Sequence, residues 1–73
     1  RQEEAEWRRA ESERRRLFAA INNLPDFEKQ ALIDESDELC ANELRANNVP
    51  QWMPFKILRD ARLLMLYRER YEV

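Results

Sequence analysis

The run Asp34-Glu35-Ser36-Asp37-Glu38 is the densest group of potentially reactive side chains in the chain. Asp34, Asp37 and Glu38 stand at i, i+3 and i+4, so a helix would carry them on one flank. A divalent cation is usually held by oxygens converging from a loop that wraps the ion, whereas a straight helix presents its carboxylates in parallel. Acid–base work by a carboxylate pair needs one dry and one wet environment. This run is polar throughout and reads as a uniformly solvated acidic face, with a partner's basic patch or a metal as the alternatives.

Two basic groups could meet phosphate. Arg14-Arg15-Arg16 is one. Lys56, Arg59, Arg62 and Arg70, spaced along a later helical segment, form the other. Trp7 and Trp52 could stack on bases beside them. Against this, the chain has 13 Lys+Arg and 15 Asp+Glu, a formal charge of -2, where nucleic-acid modules show a clear positive excess. The plainer expectation is that Arg14–Arg16 pair with Glu11, Glu13 and the acidic segment.

Cys40 is the single cysteine, and the chain has no His and no Gly. A nucleophilic thiol needs a base beside it, and no imidazole is there to serve. Cys40 therefore reads as a small buried hydrophobe. Without Gly there is no phosphate-cradling loop; without His, triads and most zinc sites are excluded. One cysteine closes no internal disulfide. No catalytic residue, metal ligand or cofactor site is assigned, and the expectation is that the chain is not an enzyme. No apolar run approaches the roughly 18 residues needed to cross a bilayer, and no signal-peptide pattern opens the chain. A reducing cytoplasmic setting is expected. The chain opens at Arg1 in the middle of a charged pattern, and so reads as one helical domain over residues 1–73, cut from a larger protein.

Three helices must carry these residues, at about 3–22, 25–46 and 54–71. In the first, Trp7, Ala10, Leu17, Ile21 and Leu24 follow a 3–4 spacing, broken by Arg14 where the stripe should continue. Leu17, Phe18 and Ile21 are then its core contacts, and the first half projects into solvent, supported by Glu4–Arg8 and Glu11–Arg15 at i,i+4. Pro25 ends the first helix and suits the start of a second, whose first turn holds Asp26 and Glu28. Leu32, Ile33, Ser36, Leu39, Cys40 and Leu44 form that helix's apolar side. The loop through Val49-Pro50-Gln51-Trp52-Met53-Pro54 carries Trp52 and Met53 as a plug under the loop or, alternatively, as an exposed anchor for a partner.

Ten of the eighteen residues from Pro54 to Tyr71 are apolar. Periodicity assigns Ile57, Leu58, Ala61, Leu64, Met65, Tyr67 and Tyr71 to the core side. Phe55, Leu63 and Leu66 then fall on the outer side, with Lys56, Arg59, Arg62 and Arg70. The residues expected to be mostly buried are Leu17, Phe18, Ile21, Leu32, Ile33, Leu39, Leu44, Leu58, Ala61 and Met65.

Charge is uneven along the chain. Residues 1–16 hold six Arg and five Glu (net +1), residues 17–49 two basic and seven acidic (net -5), and residues 50–73 five basic and three acidic (net +2). The resulting expectation is an all-α fold: a small three-helix bundle, with helices one and two as an antiparallel hairpin and helix three packed across them. Its expected function is that of a non-enzymatic protein–protein interaction or oligomerisation module of an intracellular protein. The partner is a protein or a second copy in a weak homodimer, met through Trp52, Met53, Phe55, Leu63 and Leu66. The alternative is an accessory nucleic-acid-binding domain of a replication or transposition protein, using Lys56, Arg59, Arg62 and Arg70.

Overall fold

A computed structural model describes residues 2–72. These residues form three α-helices: α1 (Gln2–Asn22), α2 (Asp26–Arg45) and α3 (Phe55–Tyr71). They make a small all-α bundle in which α3 packs across both others, more extensively against α2 than against α1. No helix is long and apolar enough to cross a membrane.

Local chemistry sets the helix ends. Pro25 (φ -54°) and Pro54 (φ -63°) occupy the caps before α2 and α3. There their fixed φ suits a helix start and their missing N–H removes no helical bond. Asp26 and Glu28 lie in the first turn of α2, where the helix dipole favours negative charge. At the end of α2 the chain must turn left-handed, a task usually given to Gly. Here Asn47 takes it, with φ 60°. The N–H of Asn48 donates to the Glu43 carbonyl at 3.1 Å, and that of Asn47 to the Leu44 carbonyl at 3.1 Å. This paired pattern closes the last turn as a Schellman motif. Asn47→Gly should therefore hold or raise thermal stability. Asn47→Val should lower it by about 1–2 kcal/mol, because a β-branched side chain is forced into the left-handed region. Urea titration of both variants checks the pair.

The core joins all three helices: Ile21 from α1, Leu32 from α2, and Leu63 and Leu66 from α3, with Phe18, Leu24, Ile33, Leu39, Leu64 and Tyr67 packed around them. Along α2 the fully buried positions are Leu32, Ser36 and Cys40, a clean i, i+4, i+8 stripe. The Ser36 hydroxyl donates to the Ile33 carbonyl at 2.8 Å, so this buried polar group is satisfied within its own helix. The expected burial of Leu17, Ile21, Leu32 and Leu58 is observed; Phe18, Ile33 and Leu39 are half-buried against the core.

Helix α3 is turned about half a revolution from the expected orientation. Leu63 and Leu66 are each only 5% exposed, so they belong to the core and not to an outer contact face. Ala61 and Met65, expected inside, face outward, as do Ile57 and, on α2, Leu44. The reason is electrostatic. The Leu63–Leu66 side, which also carries Arg62 and Arg70, faces the acidic α2. The Arg62 guanidinium makes two hydrogen bonds to the Glu43 carboxylate, at 2.6 and 3.0 Å, and Arg70 donates to Glu35. The guanidinium heads of Arg62 and Arg70 tie α3 to carboxylates of α2. The net -5 and net +2 segments thus meet directly, running antiparallel.

At the other end of the molecule, residues 3–10 of α1 are all exposed. A 21-residue helix is about 30 Å long, so roughly its first half forms an arm beyond the core. The Cα radius of gyration, 13.7 Å, exceeds the value of about 11 Å for a compact domain of this length.

Candidate protein-contact surface

Rotation of α3 leaves its outward apolar side beside the overhanging α1. Between them lies an open groove of about 600 Å³, walled by Ala10, Arg14 and Leu17 of α1 and by Ala61, Leu64 and Met65 of α3, with Glu13 and Arg68 at its edge. A smaller hollow of about 220 Å³ adjoins it and shares Arg14, Ala61 and Leu64, adding Ile57 and Asp60. The surface between these helices is mostly apolar. Ile57 and Met65 are exposed on α3, and on α1 Trp7 is 68% exposed. Residues 7, 10, 14 and 17 repeat at intervals of three and four, so Trp7 continues the α1 wall by one turn.

The sequence-derived contact residues are thus divided. Trp52 is 77% exposed and Phe55 about half exposed, which overturns the plug reading of Trp52. Met53 is half-buried, its N–H donating to the Pro50 carbonyl at 3.1 Å. Leu63 and Leu66 are structural. Phe27, 86% exposed in the first turn of α2, was missed: it falls outside every apolar stripe, and its side chain was absorbed into the helix start. The groove is not foreseen as a contact surface because Leu17, Ala61, Leu64 and Met65 are expected on the core side, and Trp7 is read as a possible base-stacking residue.

The basic flank proposed for phosphate is mostly engaged. Arg62 and Arg70 are held by Glu43 and Glu35. Arg59 is half-buried, 3.9 Å from Asp60, with its Nε buried and without a hydrogen-bond partner. Lys56 is exposed. Pairing with Glu43 raises the Arg62 pKa further above its usual range, so this cation stays charged and committed.

The acidic run is not uniformly wet, which corrects the expectation of an evenly solvated face. Asp34 and Glu38 are exposed, the former accepting a hydrogen bond from Gln30 at 2.9 Å. Glu35 is taken by Arg70. Asp37 is half-buried, with Oδ1 shielded and without a hydrogen-bond partner. Among the described residues, no group of three or more His, Cys, Asp or Glu side chains is placed to hold a metal. Cys40 is fully buried; burial, aided by Glu43, pushes its thiol pKa up, which makes it a poor nucleophile at neutral pH.

The arginine cluster of α1 pairs with Glu11 and Glu13, as expected, but its long-range partner is Glu72 beyond α3 and not the acidic α2. Arg14 and Arg15 lie 3.6 and 3.5 Å from Glu11. Arg16 bonds Glu13 and, across the bundle, Glu72 at 2.7 and 3.0 Å, clasping α1 to the end of α3. Hydrogen bonds from Arg16 hold the Glu13 and Glu72 carboxyls below their ordinary value of 4.5. A depressed carboxylate stabilises the fold above its unfolded pKa and loses that contribution as pH falls through its folded pKa. The clasp should therefore be fully present above about pH 5 and fade in acid. Because the groups are exposed, its contribution is modest and screened by salt. The melting-temperature difference between the native chain and Arg16→Gln should be largest near pH 7 and shrink steadily below pH 4.5.

Compared with known proteins, the chain matches no family model, no curated protein and no solved structure.

Proposed function

We infer that the chain is a non-enzymatic helical interaction module whose working surface is the groove between the α1 arm and the outer side of α3. One observation carries this reading: α1 overhangs an apolar groove of about 600 Å³ and exposes Trp7 on the same helix face. An uncovered apolar surface with an aromatic at its margin is characteristic of protein contact sites. Arg14, Glu13 and Arg68 supply the polar rim such interfaces have. Trp52 and Phe55 form a second, smaller element of the same kind at the start of α3. A reducing cytoplasmic setting belongs to this reading, and a single thiol kept buried and unpaired suits it.

The test is the size of the native complex. Tagged chain in cell extract should elute well above its monomer mass of 8.9 kDa. Ala61→Glu with Met65→Glu, both on the exposed side of α3, should return it to monomer size while leaving the helical circular-dichroism spectrum intact. Identical elution of the native and doubly substituted chains would overturn the assignment.

A further inference from the structure

We propose that the groove is filled by a second copy of this chain, its α1 arm lying antiparallel to the first about a two-fold axis beside Ala10, so that Trp7 of each copy seats in the other's groove. This rests on the groove being a protein-contact surface, and adds the identity and orientation of the occupant.

Three observations favour a copy of the same chain. First, α1 supplies both parts of a self-complementary contact. Its residues 10, 14 and 17 wall the groove, and Trp7, on the same face, is the exposed side chain that could fill one. A two-fold contact needs one surface that carries both halves. Ala10, the last residue of the continuously exposed stretch 3–10, has the small side chain that lets two helices approach closely at a crossing point.

Second, charge is segregated along the arm. Glu3, Glu4 and Glu6 stand at its beginning and Arg14, Arg15 and Arg16 toward the bundle. A two-fold axis at Ala10 sets Glu6 of one copy against Arg14 of the other. A parallel arrangement would instead set Arg14–Arg16 against their own copies. Like charges facing each other disfavour that alignment, so the pattern selects orientation as well as partner.

Third, the Glu6–Arg14 pair joins two charges that form no hydrogen bond within one copy among the described residues. Arg14 has half its side chain exposed, sits 3.6 Å from Glu11 and 5.2 Å over the Phe18 ring, and makes no hydrogen bond among the described residues. Glu6 is exposed and takes part in no ion pair among the described residues. Arg16, by contrast, is already clasped by Glu13 and Glu72. The Glu6–Arg14 pair is therefore the contact to test.

Sedimentation equilibrium of the purified chain between about 10 µM and about 1 mM should show reversible monomer–dimer association. Trp7→Ala should weaken it at least about tenfold, as loss of a central aromatic does. Glu6→Arg and Arg14→Glu should each weaken it, and the two together should restore it, because the pair is then reversed and not removed. All three positions are exposed, and circular dichroism reports that each variant is folded. A chain that stays monomeric throughout, associates to another stoichiometry, or dimerises regardless of Trp7 and of the Glu6–Arg14 reversal overturns the proposal. If the pure chain is monomeric while the larger complex in extract still depends on Ala61 and Met65, the second copy is excluded and the groove retains its role with another protein. If both results are negative, both readings fall.

Discussion

Leu63→Glu together with Leu66→Glu should unfold the domain. Both leucines lie in the apolar cluster that joins Ile21 and Leu32, each only 5% exposed. An unpaired ionised group buried in an apolar site costs several kcal/mol even after relaxation, and otherwise protonates at a smaller but real penalty. Two such groups compare with a total stability of about 4–11 kcal/mol for a domain this size. The far-UV helical signal should therefore collapse at neutral pH. The same charges placed outward, as Ala61→Glu with Met65→Glu, should leave the spectrum nearly unchanged, with a loss of a few tenths of a kcal/mol from like charges at i,i+4. This contrast measures the rotation of α3 directly. A folded Leu63→Glu/Leu66→Glu variant would place those leucines outside and return the helix to the orientation its periodicity indicates.

Leu32→Ala is the other large effect, with an expected loss of about 2–5 kcal/mol. Leu32 is wholly buried and touches the core from α2, so truncation leaves a cavity that three short helices cannot easily close. Leu39, also on the apolar side of α2 by spacing, is only half-buried, and Leu39→Ala should cost clearly less. Denaturant unfolding of both variants tests the ranking. Equal losses would mean that α2 presents a broader face to the core than the Leu32–Ser36–Cys40 stripe.

Much of this architecture is legible in the chain itself. Pro25 and Pro54 mark the starts of two helices to within a residue, and the Leu17, Phe18 and Ile21 contacts follow from 3–4 spacing. The projecting arm follows from the break in the apolar stripe at Arg14. What spacing alone does not resolve is the facing of α3. Its ten apolar residues occupy most of its circumference, so periodicity contains little directional information and the arginines decide. Read as solvent markers, Arg62 and Arg70 point the helix one way; read as partners for Glu43 and Glu35, they point it the other. The charge difference between the second and third segments was visible, but matching particular Arg and Glu residues requires the antiparallel alignment of two helices separated by a nine-residue loop. The groove was hidden by the same ambiguity, since Ala61 and Met65 became surface only when Leu63 and Leu66 became core.

The claim that this outward surface is a place of protein contact is tested most directly by a photo-crosslinking side chain at Met65, with the same group at Glu38 as the control. Met65 walls the groove, and Glu38 lies exposed on α2. Irradiation in cells should give one defined protein adduct from position 65, either the chain's own dimer or a single other protein, and none from position 38. No adduct from position 65, or the same diffuse set from both positions, would contradict the account.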